Sequence, residues 1–386
     1  MPIGIEIGVN SSKILCLSYE YPPLGGGGSR VVFGLTRALV AAGKRIDLLT
    51  MGYGDLPARE SAAGMNIRRI GRFRTRTHMC SAVEMIPYVI AATFHSVRAA
   101  RANRYSLNHT HFIFPDGLVA YLLKKATGLK YVITAHGSDV PNYNPDRFGL
   151  LHKLLRPLWI GITSQAECIV CPSRTLQSLI VQGNPTARVA VLPNGVDCRQ
   201  FSPDVRKLDR ILMVTRMFPR KGVQHLLRAL GSLQTDFEVN IVGDGPYLDA
   251  MRDLARKLAV RAKFWGTLDN SSAQLKELYE TSRIFVFPSE AENFPIVLLE
   301  AMSAGLAIIT TENTGAEEVV GDCALLVGVG DSTAIAQRLR ELVEDSALCE
   351  RLGRRARHRA EDLFDWPRVA LQYQRIFDGA CGNAGD

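Results

Sequence analysis

The chain has 386 residues, and at roughly 100–200 residues per domain that length predicts two globular domains. A composition of 47% hydrophobic and 22% charged residues excludes a largely disordered, collagenous or fibrous chain. The net charge of +8 is unevenly spread: residues 1–205 carry 23 Lys+Arg against 12 Asp+Glu, residues 206–386 carry 23 against 26, and the N-terminal excess favours an anionic partner for that half.

Residues 1–12 contain neither a basic leader nor a long apolar run, so a cytoplasmic location is expected. Short apolar runs then alternate with helical patterns, the mark of successive β-α units and a parallel sheet. A strand at Ile14–Ser18 leads to the glycine run Gly25–Gly28. A helix near Ser29–Ala42 follows, with Ser29 as N-cap and Gly43 as the residue that ends it, and then a strand at Ile46–Thr50.

Arg68, Arg69, Arg72, Arg74 and Arg76 precede the apolar window Met79–Ala100, and Arg98, Arg101 and Arg104 follow it. Glu84, Pro87 and His95 interrupt the window, which falls short of a membrane span. Two readings of it stand side by side: a surface that docks peripherally on anionic lipid, or a core helix with a solvated basic face. Nucleic acid is not expected, because the arginines are not interleaved with stacking aromatics.

Strands at Tyr131–Thr134, Glu167–Cys171 and Val189–Leu192 complete a doubly wound domain over residues 1–205. Cys168 and Cys171 form a C-x-x-C inside a strand pattern with no second pair, which reads as buried thiols. A redox pair would require a helix after the first cysteine. The polar stretch Ser202–Asp209, with Pro203, has the composition of a linker.

The architecture then restarts, in a domain expected over residues 206–363. A strand at Arg210–Thr215 is followed by a helix near Val223–Leu233, a strand at Glu238–Val242 and a helix near Tyr247–Leu258. A strand at Arg283–Phe287, a helix near Ile296–Ala304 and a strand at Ala307–Thr310 complete it. No repeat of fixed short period accompanies the restart.

Four consecutive glycines after a strand and before a helix let the backbone approach a ligand and offer it N–H groups at a helix start. The spacing is not that of the dinucleotide fingerprint, and a plain tight turn explains the run equally well. Arg216 and Lys221 bracket the end of the first strand of the second half, where open α/β sheets bind ligands, and two cations suit a diphosphate. Arg220, in the same loop, reads as solvated. Glu292 lies in a loop and Glu300 inside the next helix, beside Val297, Leu298 and Leu299. A carboxylate in so apolar a helix needs hydrogen-bond donors, and vicinal ribose hydroxyls would serve. The N–H groups from Asn293 to Phe294 border that helix start and suit sugar hydroxyls or an anion. Glu290 reads as a solvated loop carboxylate.

Glu292 and Glu300 with seven residues between them, Pro288-Ser289 before and Ala301-Met302 with Gly305 after, resemble the E-x7-E signature of the family 4 retaining glycosyltransferases. The remaining motifs stand in that family's order: Tyr21-Pro-Pro with Gly25-Gly26, His136-Gly-Ser-Asp139, Pro193-Asn-Gly-Val-Asp197, Arg216 with Lys221-Gly222, Gly243-Asp-Gly-Pro246, and Thr314-Gly-Ala-Glu-Glu318. The resemblance implies an α/β glycosyltransferase-B fold, two facing Rossmann-like doubly wound domains with an interdomain cleft. It also implies a last helix, 364–386, that returns to the first domain; Phe364-Asp-Trp366 with Val369, Tyr373 and Ile376 resembles it.

Carried over residue by residue, the resemblance assigns Arg216 and Lys221 to the donor diphosphate and Glu300 to the ribose. Glu292, with the backbone of Asn293, Phe294 and Pro295, falls to the transferred sugar, and His136 to the sugar near the reacting carbon. The loop Gly25, Gly26, Gly27 and Gly28 would close over phosphates and acceptor; Asp139 and Glu318 match less sharply defined positions. Asn293 stands where the family usually has glycine, which bears on the identity of the donor sugar. The implied activity is transfer, with retention, from a UDP- or GDP-sugar to a saccharide, lipid-linked or small-molecule acceptor, as in polysaccharide biosynthesis.

No cofactor is expected and no metal is required, since no Asp-x-Asp triplet occurs in the chain and the two cations take that place. Three alternatives stand beside this reading. The two glutamates alone suit a glycoside hydrolase, which leaves Arg216, Lys221 and the glycine run unexplained. A nucleotide-sugar epimerase of the same fold would change a sugar without an acceptor, and a non-catalytic binder would give no product.

Overall fold

The computed structural model describes residues 12–62, 64–77, 80–143, 149–202, 204–233 and 235–382, excepting the side chains of residues 149–154. The first residues read for a leader, Met79 at the head of the apolar window and Pro203 of the linker lie outside the described residues. The chain divides into two compact units, residues 1–193 with 366–386, and residues 194–365.

In the first unit β1 (Lys13–Leu17) leads through α1 (Gly27–Ala41) to β2 (Arg45–Met51), the hairpin of β3 (Arg59–Ala62) and β4 (Met65–Ile70), and α2 (Ala82–Ala102). After these come β5 (Leu107–His111), α3 (Asp116–Thr127), β6 (Tyr131–Thr134), α4 (Gly149–Gln165), β7 (Cys168–Cys171), α5 (Arg174–Gly183) and β8 (Val189–Val191). The sheet runs β3-β4-β2-β1-β5-β6-β7-β8, parallel except for the antiparallel β3–β4 pair. Successive residues of β1 serve opposite layers: Leu15 and Leu17 face one core with Tyr88, Val119 and Ile133, while Ile14 and Cys16 face another with Val32, Leu35 and Leu39.

The glycine run starts α1 earlier than the sequence pattern predicts. Gly26 caps the helix without any side chain and Ser29, read as the cap, is buried within the first turn. The end is as expected: Gly43 is left-handed at φ +89°, and its N–H and that of Lys44 reach back to the carbonyls of Val40 and Leu39. The C-x-x-C lies in β7 with both cysteines unbonded to each other.

In the second unit β9 (Arg210–Val214), α6 (Val223–Gly231), β10 (Glu238–Val242), α7 (Leu248–Lys257), β11 (Ala262–Phe264) and α8 (Ala273–Thr281) come first. Next are β12 (Ile284–Phe287), α9 (Ile296–Ser303), β13 (Ala307–Thr311), α10 (Gly315–Val320), β14 (Leu325–Val327), α11 (Ser332–Glu344) and α12 (Ser346–Leu363). All strands are parallel in the order β11-β10-β9-β12-β13-β14, so the direction of winding reverses between β9 and β12. Ligands of doubly wound sheets bind at the carboxyl ends of the strands beside such a reversal. Every residue of β12 is buried, Ile284 and Val286 in one core layer and Phe285 and Phe287 in the other.

The units divide at Pro193, earlier than residue 205. Val196, Cys198 and Phe201 are buried in the second unit's core, and the Val196 N–H donates to the carbonyl of Phe364. The last helix, α13 (Trp366–Cys381), belongs to the first unit. Its Val369, Tyr373 and Phe377 pack with Val32, Leu35 and Leu39 of α1, and each such side chain stabilises by about 1.5–3 kcal/mol.

Candidate active site

In the second unit the loops after β9 and β12 come together at the reversal of the sheet. Gly222, left-handed at φ +76°, makes this possible: a Cβ on it would stand 2.0 Å from the carbonyl oxygen of Pro288. The carbonyl of Arg220 accepts from the N–H of Glu290 (2.8 Å) and the hydroxyl of Ser289 (3.2 Å), tying the loops into one platform.

On that platform the Lys221 ammonium pairs with the carboxylate of Glu292, both largely buried, and the Ser289 hydroxyl donates to the same Oε1 at 2.7 Å. Burial pulls Lys221 below its ordinary range; Glu292 opposes that shift, and the nearby guanidiniums of Arg216 and Arg220 add to it. The positive charges of Arg216 and Arg220 are thus felt at Lys221, whose ammonium pairs with Glu292. Arg216 and Arg220 are exposed, the former with its guanidinium 5.6 Å from the ring of Phe218.

Asn293, Phe294 and Pro295 lead into α9. Phe294 spends its ring on the core against Phe364 and its carbonyl on the Asn194 amide at 3.2 Å, so this segment offers a ligand backbone rather than the phenyl group. Glu300 is buried in α9 and accepts from the Tyr279 hydroxyl at 2.9 Å, which is the kind of donor its desolvated carboxylate requires. Glu318 lies half-buried in α10, and its carbonyl accepts from Arg359 at 3.2 Å.

In the first unit the corresponding reversal lies between β1 and β5. Gly28, in the first turn of α1, packs so tightly that a Cβ there would stand 2.7 Å from the ring of Phe112 and 3.5 Å from that of His136. Gly26 and Gly27 leave their backbone exposed, and the first turn of α1 contains no acidic residue. Gly25 is held by its N–H to the carbonyl of Thr77. Beneath it Glu20 meets the wholly buried Arg74 at 3.3 Å, so Arg74 is an internal brace rather than part of a solvated basic cluster.

His136 keeps a partly accessible edge. Its Nε2 lies 3.2 Å from Nδ1 of His111, and the two rings stack with centroids 5.4 Å apart. Dense surroundings push His136 down to about 3, so it is a neutral imidazole near neutral pH. Asp139 accepts from the N–H groups of Ile113 (2.7 Å), His136 (3.0 Å) and Gly137 (2.9 Å). Burial raises its carboxyl while these donors lower it. Its Oδ1 is committed to the backbone that carries His136 and its Oδ2 to the backbone after β5.

The expected residues thus fall into two groups: Arg216, Lys221, Glu292, Asn293, Phe294, Pro295 and Glu300 in one unit, the glycine run, His136 and Asp139 in the other. Sequence reading did not find Ser289 and Tyr279 as partners of the two glutamates, nor His111 beside His136. The alternation of His109 and His111 on β5 is the one signal that places them on a common face. Among the described residues one group has metal-ligand atoms close together, the buried Cys16, His109 and His111. His109 is already engaged there, its Nε2 2.9 Å from the Thr134 hydroxyl and its ring against Phe377.

The family model described as glycosyl transferases group 1 matches residues 199–359, and that described as glycosyltransferase family 4 matches residues 25–200. The N-acetyl-alpha-D-glucosaminyl L-malate synthase of Bacillus anthracis is 29% identical over 380 residues, covering 92% of this chain and 94% of that protein. Among solved structures, sucrose-phosphate synthase from Thermosynechococcus elongatus superposes with a TM-score of 0.80 at 22% identity, over 97% of this chain and 100% of its own. Anabaena Alr3699/HepE, in complex with UDP and glucose, gives 0.74 at 19% identity over 95% and 99%. Those likenesses show the glycosyltransferase-B fold, and the two matched segments together run from residue 25 to residue 359. The chain belongs to the family 4, group 1 glycosyltransferases.

Proposed function

We propose that the protein is a retaining glycosyltransferase that takes a sugar from a UDP- or GDP-sugar and delivers it, without a metal, to a hydroxyl of a saccharide, lipid-linked or small-molecule acceptor. The observation that carries this reading is the convergence of Lys221, Arg216 and Glu292 at the sheet reversal. The Anabaena structure holding UDP and glucose on the same fold supports a nucleotide-sugar donor.

Cleavage of the bond between the anomeric carbon and the phosphate oxygen builds positive charge on the sugar and negative charge on the departing diphosphate. Lys221 and Arg216 stabilise that leaving group, a task a divalent cation would otherwise perform. Arrival of the diphosphate supplies Lys221 with a second anion, which releases Glu292 toward a hydroxyl of the transferred sugar, with the N–H groups from Asn293 onward beside it. Glu300, oriented by Tyr279, accepts from the ribose hydroxyls. His136, held by Asp139 and His111, serves the sugar near the reacting carbon. Retention follows the family resemblance.

A thermal-shift panel of UDP-, GDP- and ADP-sugars tests the donor, each with and without a chelator. A donor at about 100 times its dissociation constant stabilises by about 2.7 kcal/mol, and a shift of roughly 5 °C or more is expected for one of them. A null panel would overturn the donor assignment, and a shift or turnover abolished by the chelator would overturn metal independence. Conversion of the donor to a different nucleotide sugar with no acceptor present would identify an epimerase.

A further inference from the structure

Helix α2 carries an apolar row on the side turned away from the protein. Val83, Ile86, Ile90 and Phe94 are 77%, 63%, 68% and 64% exposed. At 3.6 residues per turn they fall within an arc of about 80° and extend about 17 Å along the helix. Tyr88, Ala92 and Ser96, the buried ridge of the same helix, lie on the opposite side. The outer face is therefore apolar, not the solvated basic face that one of the two sequence readings expects. A contiguous exposed row of four large side chains marks a surface that something covers.

The charges around that row are mostly positive. Arg101 continues the line of Val83 after five full turns, Arg98 stands beside it, Arg104 follows the helix, and all three are exposed. At the other end the loop entering α2 carries exposed Arg72 and Arg76, the first at 4.0 Å from Asp55. Thr75 between them is tied to α2 by bonds of 2.8 Å from its N–H and hydroxyl to Glu84. Glu84 is the single acid of α2, and its carboxylate is taken up by Ser81 and Thr75 at the helix start. Arg68 and Arg98 both act on His95, which places positive charge on the flank of the helix as well.

We propose that the outer face of α2 docks the protein on an anionic bilayer, with Val83, Ile86, Ile90 and Phe94 entering the boundary between headgroups and acyl chains and the arginines at both ends contacting lipid phosphates. No helix among the described residues is long and apolar enough to cross a membrane, so this contact is interfacial. Charge selects this occupant. An aliphatic and aromatic row one side chain wide, bounded by guanidiniums with no uncommitted acid on the helix, complements a negatively charged apolar boundary. A second copy of the same face would bring arginine against arginine.

Flotation of the full chain with phosphatidylcholine vesicles, with and without phosphatidylglycerol, tests the proposal. The wild type is expected to float with the anionic vesicles at low salt and to be released as salt approaches about 1 M. Ile90→Ser/Phe94→Ser and Arg98→Glu/Arg101→Glu are each expected to cut the bound fraction at least about tenfold. Their melting temperatures should match the wild type, because none of these side chains is buried. Absence of wild-type flotation, or variants that bind as the wild type does, would overturn the proposal. So would light scattering that shows a dimer abolished by Ile90→Ser/Phe94→Ser, since the row would then belong to a second copy.

Discussion

Lys221 and Glu292 neutralise each other where little water reaches them, so neither can be removed alone without stranding the other. Lys221→Ala leaves the Glu292 carboxylate with the Ser289 hydroxyl as its remaining partner in the pair, an expected loss of about 1–3 kcal/mol. Adding Glu292→Gln removes the stranded charge, and the double variant should be more stable than Lys221→Ala. Urea unfolding of the four proteins checks this, and additive losses would show that the pair is not coupled. The ionic members of the site were legible because their spacing and their strand-end position are properties of the chain in order. Ser289, Tyr279 and His111 were not, because each acts on a residue of another element or turn, and only packing reveals that pairing. Asp139 shows the converse: the sequence offers it as a ligand group, while the structure commits its carboxylate to three backbone N–H groups.

At the scale of elements, β5 and the loop that follows β6 enclose imidazoles that stay neutral. Burial pushes His109 and His136 down to about 3 and lowers His111 as well. In the unfolded chain these rings take up protons below about 6.5, so unfolding binds protons and their stabilisation is complete above that pH and lost on acidification. Asp116, pushed up to about 8 by burial beside Tyr88, acts in the opposite sense, because unfolding releases its proton above about 4. Three imidazoles outweigh Asp116 together with the raised carboxyl of Asp139, and the first unit should lose on the order of 1–2 kcal/mol between about pH 6.5 and 5.5. Urea titrations at the two pH values measure it; equal stability, or greater stability at the lower pH, would contradict the buried neutral state. Strands were the most legible elements, since apolar runs such as Ile284–Phe287 have no amphipathic alternative. The start of α1 was misplaced because the backbone of a glycine run can begin a helix without a side-chain cap, and α2 was left with two readings because periodicity counts apolar positions without saying which of them meet a core.

For the whole molecule, the restart of the β-α pattern after residue 205 gave the two-unit organisation, whereas the division itself falls at Pro193 because a few apolar residues in a polar stretch, Val196, Cys198 and Phe201, join the second core. Net charge misleads about chemistry at this scale. Residues 206–386 are net acidic, yet they hold Arg216 and Lys221, on which the proposed catalysis depends. The basic excess belongs to the first half, which carries the arginines around α2.

The central claim is that Lys221, with Arg216, stabilises the departing diphosphate. Turnover of Lys221→Ala with the donor identified by the binding panel tests it most directly. The claim predicts a kcat reduced by about 10²–10³, in a variant that still melts as a folded protein; a kcat equal to that of the wild type would contradict it.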